Sequence, residues 1–389
     1  MSNPHKMPFP AEFHAVLDTV KRVDEKGWFY SVDYDADYYQ LQEFANKLAE
    51  PGCSTFVSRN LAKEAIMGRN YDYKHFKFNA KAPDTEVTGL CILIKGNNPK
   101  AMYRSLALAD GFFLDNPHGS IFEGTLDDGK TDISPVALAP FICMDAINEA
   151  GLAVSIMALP VESDWEEVPY KAVEELTEEE RADVEIFEKP GDIPSRTNPR
   201  TKRNAYAVNT ADKKTWIARK RFGVKQNDPA KKTVFHTILM RMMTDYCATT
   251  DEAVAMAGSV NVITPLPGSD YHVLITDRSG KTVVLEWIDD QLVVLDECCS
   301  TNYYLGRGDH FGMGFERKAI VQAAVDKYRF NGMPEDMTMH ALALCSQDCR
   351  NASDRGFTQW SAIYNLDKLT LKLWLRMDYS KAYEFQLSC

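Results

Sequence analysis

Pro51-Gly52-Cys53-Ser54-Thr55-Phe56 is followed, after a short turn, by Gly68-Arg69-Asn70-Tyr71-Asp72. Residues 54–60 and 66–72 read as the two arms of a β-hairpin. A thiol, a guanidinium and a carboxylate therefore lie within reach of one another. A nearby cation favours the thiolate, and a carboxylate can orient the group that takes its proton. The plain alternatives are a small buried hydrophobe for Cys53 and a structural ion pair for Arg69 with Asp72. Gly52, lacking a Cβ, allows the chain before the thiol a geometry that a side chain would forbid.

Outward from this hairpin the signals are mainly strands. Residues 141–147 and 152–159 flank the turn Asn148-Glu149-Ala150-Gly151, and 272–276 and 282–287 flank Asp277-Arg278-Ser279-Gly280. Further strands are expected at 292–295 and 369–376, and helices at 231–246, 250–257 and 316–328. This order suggests mixed sheets covered by helices and not a repeating βαβ unit. Upstream, Phe13, Val16, Leu17 and Val20 share one face of a helix that Gly27 ends. A second helix is expected from the N-cap Asp37, with Gln40 three residues on, through Leu41, Phe44, Ala45 and Leu48 to Pro51. Residues 1–52 thus read as a helical pair, either a removable prosegment over the site or the ordinary start of a domain, and 53–389 as the main domain.

Residues 163–230 form a charged insertion. Glu174, Glu175, Glu178, Glu179, Glu180, Asp183, Glu185 and Glu188 crowd its first half, and Arg196, Arg200, Lys202, Arg203, Lys213, Lys214, Arg219, Lys220 and Arg221 its second. A solvated face is the default reading, with a lid or subunit contact as the other.

The 389 residues, 45% of them hydrophobic, suffice for a large core, and a formal net charge of −12 argues against nucleic acid or an anionic membrane as partner. Met1-Ser2-Asn3-Pro4-His5-Lys6 lacks a signal-peptide core, so a cytoplasmic location is expected. Nine cysteines, an odd number that includes adjacent Cys298 and Cys299, do not suggest a disulfide framework. Cys345-Ser346-Gln347-Asp348-Cys349 has metal-like spacing without paired histidines or a second cysteine pair, so no zinc site is expected. Neither a dinucleotide fingerprint, a phosphate loop nor a Gly-x-Ser-x-Gly elbow occurs, and no cofactor is expected.

A third stretch, Met144-Asp145-Ala146-Ile147-Asn148-Glu149-Ala150-Gly151-Leu152, joins Gly52-Cys53, Arg69 and Asp72 in a pattern that resembles the choloylglycine hydrolase and penicillin V acylase family. These are N-terminal-nucleophile hydrolases of linear amide C–N bonds. The resemblance covers most of 53–389 and is weakest across 163–230. It implies an α+β fold, a four-layer αββα sandwich preceded by a helical prosegment, 1–52, removed by autoproteolysis between Gly52 and Cys53. Cys53 would then be the first residue, with its own α-amine as base. Arg69 would lower the thiol pKa and Asp72 would hold the amine.

The resemblance further assigns an oxyanion donor to Asn302, in Ser300-Thr301-Asn302-Tyr303-Tyr304-Leu305, whose plain alternative is an Asx-turn. It assigns a second arginine to Arg317, in Gly312-Met313-Gly314-Phe315-Glu316-Arg317. One position departs from the pattern. Where relatives carry an asparagine or tyrosine in the oxyanion hole stands Ala158, which offers only a backbone N–H. The implied activity is hydrolysis of a small N-acyl amide through a Cys53 thioester. An acyltransferase like the isopenicillin N enzyme, a bile-salt hydrolase and an uncut, inactive binding protein are the alternatives. Self-association into a homo-oligomer is compatible with any of them.

Overall fold

A computed structural model describes residues 9–44, 52–73, 91–114, 133–161, 164–169, 177, 184–187, 214–219, 223–264, 269–347 and 357–387. The N-terminal segment departs from the expected helical pair. Its first helix covers only Ala11–Leu17 and is followed by strands β1 (Lys21–Arg22) and β2 (Phe29–Tyr34). The second element is a 3-10 helix, Tyr38–Phe44, with residues 45–51 outside the described set. Aromatic and β-branched residues at 29–34 favour a strand, and β2 finds its partner in β5 (Cys91–Gly96), to which it runs parallel. Phe13, Val16, Leu17, Phe29, Val32, Tyr34 and Tyr38 are buried in the main core. Residues 9–44 are therefore built into the fold and do not form a separate helical piece.

Beyond β5 the larger sheet continues with β6 (Ser105–Ala109), β7 (Cys143–Asn148), β8 (Ala153–Pro160), β14 (Ser269–Thr276), β15 (Thr282–Ile288) and β16 (Gln291–Leu295), nine strands from β1. A second sheet has six strands in the order β17 (Cys299–Ser300), β3 (Gly52–Arg59), β4 (Ala65–Tyr73), β20 (Phe357–Asn365), β21 (Thr370–Leu375) and β22 (Tyr383–Gln386). Smaller pairings join β12 (Thr233–Phe235) to β13 (Asn261–Ile263) and β18 (Asn302–Tyr303) to β19 (Gly312–Met313). The three hairpins expected from the turn sequences, β3/β4, β7/β8 and β14/β15, are present. The strand expected from 141 begins instead at Cys143, because a 3-10 helix, Ser134–Ile142, occupies the residues before it.

Side chains of the two large sheets meet. Thr55 Oγ1 on β3 lies 3.0 Å from Ser155 Oγ on β8, and Arg69 and Trp360 of the six-stranded sheet both reach Asp145 on β7. Helix His236–Tyr246 lies against β7 and β8, while helices Phe315–Tyr328 and Glu335–Cys345 lie against β3 and β4. These last two helices close a second apolar cluster with Phe56, Val321, Leu342 and Trp374.

Asn148 closes the β7/β8 turn: its Oδ1 accepts the Leu152 N–H, and its Nδ2 donates to Thr244 O at 2.9 Å and Cys247 O at 2.7 Å. The charged stretch 163–230 contributes a three-stranded sheet, β10 (Val184–Phe187), β11 (Lys214–Arg219) and β9 (Asp164–Pro169). Most of its acidic and basic residues, and the solvated-face reading with them, lie outside the described residues. No helix among the described residues is long and apolar enough to cross a membrane.

Candidate active site

Alternation along β3 and β4 decides what surrounds Cys53. Successive side chains of a strand point to opposite faces, and Cys53 lies opposite Tyr71, Thr55 opposite Arg69, and Gly52 opposite Asp72. Cys53, Thr55, Arg69 and Tyr71 face the larger sheet. Ser54, Asn70 and Asp72 face the two helices. Arg69 and Asp72 consequently form no ion pair with each other, and each has a partner of its own.

On the inner face Arg69 is fully buried. Its Nε donates to Asp145 Oδ2 at 3.2 Å, Nη1 to Thr55 Oγ1 at 3.1 Å, and Nη2 to Ile156 O at 2.8 Å. Asp145 also accepts from Trp360 Nε1 and from the Tyr364 hydroxyl. Burial pushes the Asp145 carboxyl up, against the pull of Arg69. Burial likewise pushes the Cys53 thiol up to about 12; Arg69 opposes this, while Asp72 and Asp145 add to it. With the thiol raised this far, Cys53 is neutral at neutral pH, and the charge of Arg69 does not suffice to ionise it.

On the outer face the groups converge on the backbone of Cys53. Its N–H donates to Asn302 Oδ1 at 2.9 Å, and its carbonyl accepts from Arg317 Nη1 at 2.6 Å. Arg317 also donates to Ser54 Oγ at 2.7 Å, to Asp72 Oδ2 at 3.1 Å and, through Nη2, to Asn302 Oδ1 at 2.8 Å. Asp72 is completed by Gln347 Nε2 at 2.7 Å and Thr358 Oγ1 at 2.5 Å. Asn302 Nδ2 donates to the carbonyl of Ala158 at 2.8 Å. Ala158 therefore meets Asn302 through its C=O.

Two devices hold Asn302 and Arg317 there. Strand β17 adds to the edge of β3, with Ser300 opposite Thr55, and delivers Thr301 and Asn302 beside Cys53. Buried His272 bonds Thr301 O through Nε2 at 2.7 Å and Glu286 through Nδ1 at 3.0 Å, and Glu286 accepts the N–H groups of Leu305 and Gly306. Burial would raise the Glu286 carboxyl, but these bonds and the His272 ring outweigh it and hold it below its ordinary value. Ahead of helix Phe315–Tyr328, Gly314 is left-handed (φ 95°), and a Cβ there would lie 2.7 Å from Arg317 Nη2 and 2.9 Å from Thr301 Oγ1. Only glycine lets these two side chains close so tightly.

The structure thus brings Cys53, Asp72, Asn302, Arg317 and Ala158 together and sets Arg69 on the inner face of the same hairpin. The sequence did not single out Asp145, Gln347, Thr358, His272 and Glu286. Asp145 stood in the quoted Met144–Leu152 stretch, and a carboxylate amid apolar residues was its signal; the other four carried none. Among the described residues no group of three or more His, Cys, Asp and Glu is placed to hold a metal ion.

No family model and no curated protein matches the chain. Among solved structures it is similar to a conjugated bile acid hydrolase from Clostridium perfringens, in two crystal structures. Each has 12% identity, a TM-score of 0.47 and coverage of 86% of this chain and 92% of that chain. It is also similar to penicillin V acylase from Agrobacterium tumefaciens, with 12% identity, a TM-score of 0.46 and coverage of 86% of each chain.

Proposed function

We propose that the chain is an autoprocessed N-terminal-nucleophile amidohydrolase of the choloylglycine hydrolase and penicillin V acylase type. It would cut the linear amide of a small N-acyl compound through a thioester on Cys53. One observation carries this reading: Asn302 and Arg317, distant in sequence, converge on the N–H and C=O of Cys53. A buried structural cysteine needs no such attention to its own peptide groups. The two facing sheets with helices packed on their outer sides fit a four-layer αββα sandwich.

In the first reaction the Cys53 sulfur adds to the Gly52 carbonyl. The Gly52–Cys53 C–N bond breaks, the nitrogen takes the thiol proton, and water hydrolyses the resulting thioester to leave Gly52 with a carboxylate. Cys53 then carries a free amine where its N–H now faces Asn302 Oδ1. An α-amine titrates near ~7.7–8.0, so the freed amine is neutral in good part at neutral pH and can take the Cys53 thiol proton as the sulfur attacks.

With an N-acyl substrate the sulfur attacks the acyl carbon, and negative charge develops on its oxygen. Asn302 Nδ2 carries two hydrogens. One goes to Ala158 O, and the second has no partner among the described residues, which leaves it for the oxyanion. The Cys53 ammonium returns its proton to the departing amine, and water releases the acid. Ala158 serves to orient the Asn302 donor.

Intact mass under denaturing conditions tests this. Purified wild type should separate into pieces 1–52 and 53–389 without added protease, and Cys53→Ala should remain one uncut, inactive chain. A wild type that stays full length yet hydrolyses amides would remove the α-amine from the mechanism.

A further inference from the structure

Cys298 and Cys299 are consecutive, and their Sγ atoms lie 3.7 Å apart. Cys299 is buried beside Phe56 and Val321, while Cys298 is half-buried at the rim of that cluster. Either thiol can donate to the other; the contact, as the largest influence, lowers Cys298 to about 7 and drives Cys299 well above its ordinary value. Half-buried Cys298 is the sulfur an oxidant reaches first, and the buried sulfur of Cys299 lies 3.7 Å behind it as its partner. The charged groups around the pair are Glu297 and Lys318, which hold each other at 3.0 Å.

We propose that Cys298 and Cys299 are a vicinal dithiol site for peroxide-class oxidants, which closes to an eight-membered disulfide ring and displaces Asn302. The Cys298 thiolate attacks a peroxide oxygen, gives a sulfenic acid and releases hydroxide. The Cys299 sulfur then attacks that sulfenic sulfur, the S–S bond forms and water leaves. Both sulfurs are oxidised, and the peroxide oxygens take the two electrons.

Closing the ring disturbs the backbone. Adjacent Cα atoms across a trans peptide are about 3.8 Å apart, whereas disulfides prefer roughly 4.4–6.8 Å. A trans 298–299 peptide cannot reach that range, so the closed ring is strained and distorts this peptide, whose carbonyl accepts the Val57 N–H at 2.8 Å and so ties β17 to β3. Asn302 follows three residues on. A strained disulfide is also readily reduced, so the change is reversible. The effect on turnover rests on the proposed role of Asn302; ring formation does not.

The test treats the full chain with hydrogen peroxide, alkylates the remaining thiols, digests it and weighs the peptide that holds both cysteines. The expected wild-type peptide is unalkylated and lighter by two hydrogens, and dithiothreitol reverses the change. In Cys299→Ser, Cys298 should instead proceed to sulfinic acid. Wild-type peptide with both thiols alkylated, or with sulfinic acid at Cys298, overturns the proposal. For turnover, peroxide should inhibit wild type several-fold more than Cys298→Ser, with recovery in dithiothreitol. A ring that forms without changing turnover overturns the link to Asn302. Absence of amide turnover before oxidation counts against the enzymatic reading, while the peptide mass still decides the ring.

Discussion

Asn302 is oriented by the kinds of group around it. Its Oδ1 receives two donors, the Cys53 N–H and Arg317 Nη2, and its Nδ2 faces one acceptor, Ala158 O, so a flipped amide would oppose all three. The second Nδ2 hydrogen, which has no partner among the described residues, is then fixed in direction. Replacing Asn302 with Ala should lower kcat at least ~10²-fold with a much smaller change in KM, because the contact strengthens as charge develops on the oxygen. Steady-state kinetics on a small N-acyl amide checks this, and an unchanged kcat would leave Asn302 a purely structural residue. Cys53, Asp72, Asn302 and Arg317 were legible as candidates because each sits in a short, distinctive stretch. Their partners were less so. The company of Arg69 is Asp145 and that of Asp72 is Arg317, and a contact between different sheets or with a distant helix leaves no local period in the sequence.

At the scale of elements, β2 makes a definite prediction about processing. It pairs along its whole length with β5, and the 3-10 helix after it places the Tyr39 hydroxyl 2.9 Å and the Tyr38 hydroxyl 2.5 Å from Asp245 Oδ2. Cutting the Gly52–Cys53 bond removes none of these contacts. The short piece should therefore co-elute with 53–389 on native gel filtration and separate only in denaturant. A native column that yields 53–389 alone, still folded, would show that the segment is dispensable. The strand carried a sequence signal, Tyr30, Val32 and Tyr34 alternating with Ser31 and Asp33, but the helical patterns on either side of it dominated the reading of this segment. Strands β3, β4, β7 and β8, by contrast, were flagged by turn chemistry and by the motif residues they carry.

For the whole molecule, the placement of Cys53 within the core shared by both sheets links chemistry to folding. A thiol pushed up to about 12 by burial is almost wholly protonated at neutral pH. Below that value the thiolate fraction grows about tenfold for each unit of pH. Self-cleavage of freshly folded precursor should accordingly quicken with rising pH across the neutral to mildly alkaline range, as gel densitometry would follow. A flat profile would mean that another group removes the proton during attack. The pairing of β2 with β5 has a further consequence, for the lifetime of the protein. Before cleavage the two strands meet within one chain, at the high effective concentration that a tether provides. Were the proposed cut made, an unfolded molecule would have to recover the separated piece from dilute solution. If the proposed cut occurs, heated and cooled Cys53→Ala should regain its structure more fully than the processed form, whose persistence would then depend on how slowly it unfolds and not on an equilibrium it can return to.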